Sequence, residues 1–65
     1  MKITVNAESR EITTTILADA LAELDFNSPA IATALNGIFV PQEDYSKTNL
    51  SQGDRLEVLA PMQGG

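Results

Sequence analysis

Ile16-Leu17-Ala18-Asp19-Ala20-Leu21-Ala22-Glu23-Leu24 is the only segment of the chain with a convincing helical pattern. Its leucines stand at positions 17, 21 and 24, a spacing that places them on one face of an α-helix. Alanine, the strongest helix former, fills three of the positions between them. One amphipathic helix must bury its apolar face against another layer, so the flanking segments are expected to form a sheet.

The ends of this helix are predicted from neighbouring residues. The hydroxyl of Thr15 can cap the first turn, and Asn27-Ser28-Pro29 should break the helix because proline cannot continue it. Asp19 and Glu23 lie four residues apart on the outer surface. A carboxylate pair suits acid–base chemistry or a metal, but no third group accompanies this pair, so we interpret it as a solvated helix face.

An N-terminal hairpin is predicted before the helix. Residues 2–6 alternate polar and apolar, with Ile3 and Val5 on one face, as in a half-buried strand. Residues 6–9 are predicted to form a turn, because Asn6 and Ser9 favour turns through local hydrogen bonds. Residues 10–13 are then expected to form the returning strand, with Ile12 directed inward.

Two further strands and a turn are predicted after the helix. Residues 30–35 form a short, nearly continuous apolar run, which indicates a buried strand. Asn36-Gly37 favours a type I′ turn, which needs positive φ at both positions. Residues 38–40 form the partner strand, which Pro41 ends.

The remaining residues complete the sheet. Residues 42–49 are predicted to be an irregular polar loop that Tyr45 and Leu50 pin to the core. Residues 51–54 form a turn. Residues 55–60 form the last strand, with Leu56 and Val58 on one face and Leu59 on the other.

The predicted order is β-β-α-β-β-β. The helix can cover the sheet if the last strand lies parallel to the first, with the helical segment as the crossover. This is an α+β, ubiquitin-like β-grasp: a mixed sheet of four to five strands with one main helix on one face. We predict a single domain over residues 1–65, from which residues 61–65 project as a flexible tail.

Composition narrows the possible functions. The 65 residues include no Cys and no His, which leaves neither a disulfide nor a Cys/His zinc site. The net charge of −5 disfavours nucleic acid and anionic membranes and suits a basic partner, although it could serve solubility alone. No apolar run resembles a signal peptide or a membrane span, so we expect a soluble, cytoplasmic protein.

The chain finishes on Gly64-Gly65. Two residues without a Cβ can thread a narrow channel, and the α-carboxylate that follows is a group that ATP can convert to a mixed anhydride. We therefore expect the chemistry to occur at Gly65. The alternative is a frayed terminus, as most termini are.

Several stretches together resemble the sulfur-carrier family of the thiamin pathway, ThiS. The resemblance covers essentially the whole chain and is densest after Ala34. It rests on Ala34-Leu35-Asn36-Gly37, Phe39-Val40-Pro41, Gly53-Asp54-Arg55-Leu56-Glu57-Val58-Leu59-Ala60-Pro61 and Met62-Gln63-Gly64-Gly65.

The resemblance implies a mechanism. A ThiF-like enzyme of the ubiquitin-activating type, using ATP and Mg²⁺, adenylates the carboxylate of Gly65. Sulfur from a persulfide donor then converts Gly65 to a thiocarboxylate, which a ThiG-like thiazole synthase consumes. Gly64 and Gln63 thread the partners' active sites. The domain itself would be no enzyme and would bind no cofactor or metal.

A docking surface is predicted near the base of the tail. By pattern, Phe39, Leu59, Pro61 and Met62 lie close together there, and an apolar patch marks an interface. The alternative for Phe39 is a place in the core.

Other functions remain open at this point. The same fold serves the small subunit of molybdopterin synthase, which is also a sulfur carrier, and ubiquitin-like modifiers that are joined to lysine. A plain interaction domain with an inert tail is a further alternative. An independent enzyme fits least well, because only scattered carboxylates are available.

Overall fold

A computed structural model describes residues 1–60, and residues 61–65 lie outside the described part. The elements are five strands, one α-helix and one 3₁₀ helix. In chain order they are β1 (Lys2–Val5), β2 (Glu8–Glu11), α1 (Leu17–Glu23), β3 (Ala32–Leu35), β4 (Ile38–Val40), the 3₁₀ helix (Gln42–Lys47) and β5 (Arg55–Leu59).

The strands form one mixed sheet in the order β2-β1-β5-β3-β4. Pairing is antiparallel for β1 with β2, β3 with β4, and β3 with β5, whereas β1 and β5 run parallel. The predicted β-grasp topology is therefore confirmed. The long crossover that a parallel pair requires contains α1.

The core lies between one face of this sheet and α1. The predicted helix face is buried, with Leu17, Leu21 and Leu24 at 0%, 3% and 9% exposure. They form one cluster with inward side chains of the central strands and of the flanking loops, as predicted. Those side chains are Ile3, Val5, Ile12, Tyr45, Leu50, Leu56 and Val58.

One hydrogen bond joins polar side chains inside this core. The Tyr45 hydroxyl, on the 3₁₀ helix, donates to Thr33 Oγ1 on β3 at 2.9 Å. Thr33 is only 1% exposed, and an unpaired buried hydroxyl would be unfavourable. This bond attaches the 3₁₀ helix to the sheet.

The N-terminal hairpin is tighter than predicted. Asn6 and Ala7 both have positive φ, 49° and 71°, the combination of a two-residue type I′ turn. Glu8 therefore already pairs with Val5. The predicted returning strand is confirmed, but it spans Glu8–Glu11 rather than residues 10–13, because alanine gives no signal for a left-handed position.

The predicted cap of the helix was also wrong. Ile16, not Thr15, occupies the N-cap position, and no side chain caps the helix. The Leu17 N–H instead donates to the Thr48 carbonyl at 2.9 Å. A distant loop supplies the acceptor that local sequence was expected to provide. The helix ends at Glu23, followed by Asp25 with a φ of 68°, before the breaking residues 27–29.

Two other segments differ from prediction. Residues 30–31 are not part of β3, since β5 ends at Leu59 and its partner on β3 is Ala32. That strand is also only partly buried, because one of its faces is turned away from the helix. Residues 42–47 form a 3₁₀ helix rather than an irregular loop.

Within residues 1–60, none of the helices has the length and the apolar character needed to span a bilayer.

Candidate functional site

Strand β5 occupies the centre of the sheet, between β1 and β3, and leads to the end of the described chain. Its residues alternate: Leu56 and Val58 are buried, whereas Arg55, Glu57 and Leu59 are exposed. Residues 61–65 follow Ala60 in sequence. Any chemistry at Gly65 would thus be attached to a strand that pairs with β3 as far as Leu59 and with β1 at Arg55 and Leu56.

An exposed apolar patch lies on the sheet face opposite the helix. It comprises Ala32, Ala34, Phe39 and Leu59, and we call it the outer patch. Ala34 pairs with Phe39 and Ala32 pairs with Leu59, so all four side chains share one face. Phe39 is 66% exposed and Leu59 is 74% exposed. The prediction that Leu59 points away from Leu56 and Val58 is confirmed, and Phe39 is not a core residue.

The outer patch borders a shallow depression. Its volume is about 350 Å³, and its lining is mainly apolar. The small side chains of Ala32 and Ala34 line it together with the larger Phe39 and Leu59. Asn6 and Ala7, from the first turn, also contribute to its lining.

One negative charge stands within this apolar surface. Glu57 pairs with Ala34 across the sheet and lines the depression. In the described range 1–60 its carboxylate forms no ion pair, and the ion pair present there joins the Met1 amino group to Glu11 at 3.3 Å. A complementary surface would therefore be apolar with one basic group.

The remaining predicted site residues fall outside the described chain. Pro61, Met62, Gln63, Gly64 and Gly65 all belong to residues 61–65, so the structure does not place them beside the outer patch or elsewhere. The predicted proximity of Phe39 and Leu59 is observed, since both line the same depression.

The carboxylate pair on α1 has a structural explanation. Both carboxylate oxygens of Glu23 accept a hydrogen bond from the Thr13 N–H at 3.1 Å, and one also accepts from the Thr13 hydroxyl. Glu23 thus fastens the segment that enters the helix. The part of the chain that the structure describes contains no group of three or more side chains suited to hold a metal ion.

Sequence reasoning missed one residue beside the site, Asn6. Its side-chain amide bonds both backbone groups of Val58, 52 positions away in the chain. The pattern gave only a weak signal, namely that asparagine tolerates a positive φ.

A family model for the ThiS family matches residues 3–65. The chain belongs to the ThiS family. The ThiS match runs from Ile3 within β1 through β5 to residues 61–65, so it covers both the folded domain and the glycine end.

Solved structures agree with this assignment. The chain is similar to the crystal structure of a thiamine biosynthesis protein (ThiS) from Geobacter metallireducens, with 26% identity, a TM-score of 0.81 and full coverage of both chains. An NMR solution structure of a thiamine biosynthesis protein from the same organism matches with the same identity and TM-score. It is covered to 88%, and this chain to 100%.

Two relatives match by sequence. A thiazole synthase from Paramagnetospirillum magneticum is 33% identical over 66 residues, which cover 100% of this chain and 20% of that protein. The uncharacterized protein ycf40 from Pyropia yezoensis is 43% identical over 42 residues, covering 65% of this chain and 59% of that protein. The chain thus spans a fifth and about three fifths of the lengths of these relatives.

Proposed function

We propose that this protein is the sulfur carrier of thiamin biosynthesis and that Gly65 carries the sulfur as a C-terminal thiocarboxylate. The observation that supports this most strongly is the match to the ThiS family through residue 65. The similarity to a thiazole synthase over 66 residues supports a thiazole synthase as the acceptor.

The proposed chemistry activates the Gly65 carboxylate and then replaces one of its oxygen atoms with sulfur. The Gly65 carboxylate attacks the α-phosphorus of ATP and pyrophosphate leaves, which gives an acyl adenylate. A sulfur nucleophile then attacks the activated carbonyl and AMP leaves. If the nucleophile is a persulfide, an acyl disulfide forms, and a second thiol must reduce it to release the thiocarboxylate.

Partners supply the catalytic groups in this proposal. The chain has no Cys and no His, so no thiol or imidazole of its own can donate sulfur or move a proton. A ThiF-like enzyme would bind ATP and Mg²⁺ and perform adenylation, and a separate donor would carry the persulfide. A ThiG-like synthase would accept the sulfur. The carrier contributes a docking surface and a reactive C-terminus. The proposed location of the protein is the cytoplasm.

The outer patch is the proposed docking surface. Phe39 and Leu59 are large apolar side chains that are both more than 60% exposed and share one depression. Apolar patches of this kind mark protein interfaces. Pro61 and Met62 would extend the surface toward Gln63 and Gly64, which enter the partner's active site.

Intact mass spectrometry tests the proposal. The purified protein is incubated with the ThiF-like enzyme of its own organism, ATP, Mg²⁺ and sodium sulfide as the sulfur source. We expect the mass to rise by the difference between one sulfur and one oxygen atom, with the change located on the C-terminal peptide. A chain extended by one alanine after Gly65 should fold normally and remain unmodified.

Two outcomes would contradict this function. If the wild-type mass never changes, the protein is not a sulfur carrier under this activation. If the alanine-extended chain supports thiamin synthesis as well as wild type, the tail is inert, as in a plain interaction domain.

A molybdopterin-type carrier uses the same terminal chemistry, so the mass change does not separate the two pathways. Copurification does separate them. We expect the tagged protein to retain a thiazole synthase rather than the large subunit of a molybdopterin synthase.

A further inference from the structure

We infer that Asn6 is a positioning residue that fixes the direction in which the chain leaves β5 toward Gly65. The expected effect of Asn6 on adenylation rests on the proposed function. The contacts from which its role is inferred lie within residues 1–60. They are the hydrogen bonds between Asn6 and the backbone of Leu56 and Val58 in β5.

The end of β5 needs such a residue because β1 and β3 pair with different lengths of this strand. On one side of β5, β3 pairs as far as Leu59. On the other side, β1 pairs only with Arg55 and Leu56, because β1 ends at Val5. The last part of β5 therefore has a strand neighbour on one side only.

Asn6 replaces the missing strand. Its backbone N–H donates to the Leu56 carbonyl at 2.9 Å. Its side-chain Nδ2 donates to the Val58 carbonyl at 3.1 Å, and the Val58 N–H donates to its Oδ1 at 2.9 Å. The amide thus satisfies both backbone groups of Val58, as a paired strand residue would.

This arrangement requires asparagine in two respects. The backbone of Asn6 has a φ of 49°, a left-handed conformation that few residues other than glycine adopt readily. The side chain must also present a donor and an acceptor together, which an amide does. Glycine meets only the first requirement, and aspartate lacks the donor.

The other end of β5 provides a matched control. Asn36 is also the first residue of a two-residue turn, with a φ of 52°. Its N–H donates to the Arg55 carbonyl at 2.7 Å, and the Arg55 N–H donates to its Oδ1 at 2.9 Å. The two asparagines make similar bonds to the same strand, but only Asn6 holds the end that leads to residues 61–65.

The test compares Asn6→Gly with Asn36→Gly. Both variants keep a residue suited to positive φ and lose one side-chain amide, so both should lose a similar amount of stability. Hydrogen exchange of the Val58 amide should accelerate roughly five- to tenfold in Asn6→Gly and stay near wild type in Asn36→Gly. Adenylation by the ThiF-like enzyme is then measured at varied carrier concentration.

We expect kcat to fall about tenfold or more in Asn6→Gly, because misplaced reacting groups slow chemistry strongly. KM for the carrier should change little, since the outer patch is intact. Asn36→Gly should keep kcat within about twofold of wild type. Asn6→Asp, which keeps the acceptor but sets a carboxylate oxygen against the Val58 carbonyl, should also lower kcat and replaces Asn6→Gly if that variant does not fold.

Each outcome decides one of the two proposals. Equal loss of kcat in the Asn6 and Asn36 variants, or normal kcat in Asn6→Gly and Asn6→Asp, would overturn the role of Asn6. Lack of adenylation of the wild type would instead overturn the proposed function. In that event the exchange rates alone decide whether Asn6 fixes the end of β5.

Discussion

Phe39 and Leu59 are large apolar side chains that bury little of their surface in the free protein. Each leaves about two thirds or more of its surface in water, at 66% and 74% exposure. Truncating them should leave the free energy of unfolding almost unchanged, because little surface is buried in the free protein. The truncations should instead weaken the binding of a partner that covers these side chains.

We predict that Phe39→Ala and Leu59→Ala each weaken binding to the thiazole synthase by about 1–2 kcal/mol, the range expected for well-packed interface anchors. Isothermal titration calorimetry measures the effect. Ile38→Ala is the matched control, because Ile38 is 71% exposed but lies on the other face by strand alternation. Equal losses in all three variants would show that the outer patch is not the docking surface.

The sequence analysis placed both large side chains of this patch, Phe39 and Leu59, at a docking surface, but it left a core position open as the alternative for Phe39. The alternation along β5 placed Leu59 opposite to Leu56 and Val58, and exposure follows directly from that. Phe39 stands in the continuous apolar run Ile38-Phe39-Val40, whose pattern does not distinguish the two faces of a strand. Only its register with Ala34 assigns it to the outer patch.

At the scale of elements, the two turns beginning with Asn6 and Asn36 differ in how well the sequence predicts them. Asn36-Gly37 was recognised because glycine at the second position matches the required positive φ. Asn6-Ala7 adopts the same turn, but Ala7 has a φ of 71°, which is strained for an L-residue. The pairing of β1 with β2, which begins at Val5 and Glu8 on either side of the turn, holds alanine in this conformation.

The strain at Ala7 leads to a stability prediction. A left-handed backbone destabilises an L-residue by roughly 1–2 kcal/mol, a strain that glycine would relieve. The greater freedom of glycine in the unfolded chain offsets about 0.5–1 kcal/mol of this gain. We therefore expect Ala7→Gly to raise the free energy of unfolding by about 0.5–1 kcal/mol, measured by urea denaturation.

The reverse change at the corresponding position is its control. Gly37 has a φ of 83°, and an added Cβ would approach an Arg55 guanidinium nitrogen to 3.4 Å. Gly37→Ala should lower the free energy of unfolding by about 1 kcal/mol. A destabilised Ala7→Gly variant would show that the turn is not strained at Ala7.

For the molecule as a whole, the effect of net charge on partner association can be tested directly. The net charge is −5, and Glu57 stands unpaired, among residues 1–60, in the outer patch. If partners present basic surfaces, the association rate should fall about tenfold or more as salt rises from low to high, because screening shortens the range of attraction. Stopped-flow measurements with the adenylating enzyme would show this.

Glu57→Gln should reduce the slope of that salt dependence, since it removes a charge at the proposed interface. Asp19→Asn, on the exposed surface of α1, removes the same charge away from the outer patch and should alter the slope less. A rate that does not depend on salt would indicate that the acidity serves only to keep the protein in solution.

The position of β5 between two neighbours has a mechanical consequence. If a partner draws residues 61–65 into its active site, as proposed, the pull acts on the end of this strand. The load then falls on the backbone bonds to β1 and β3 together, in shear, rather than on one bond after another as in unzipping. If the proposed function is correct, the domain should therefore stay folded under a pull that would peel away an edge strand.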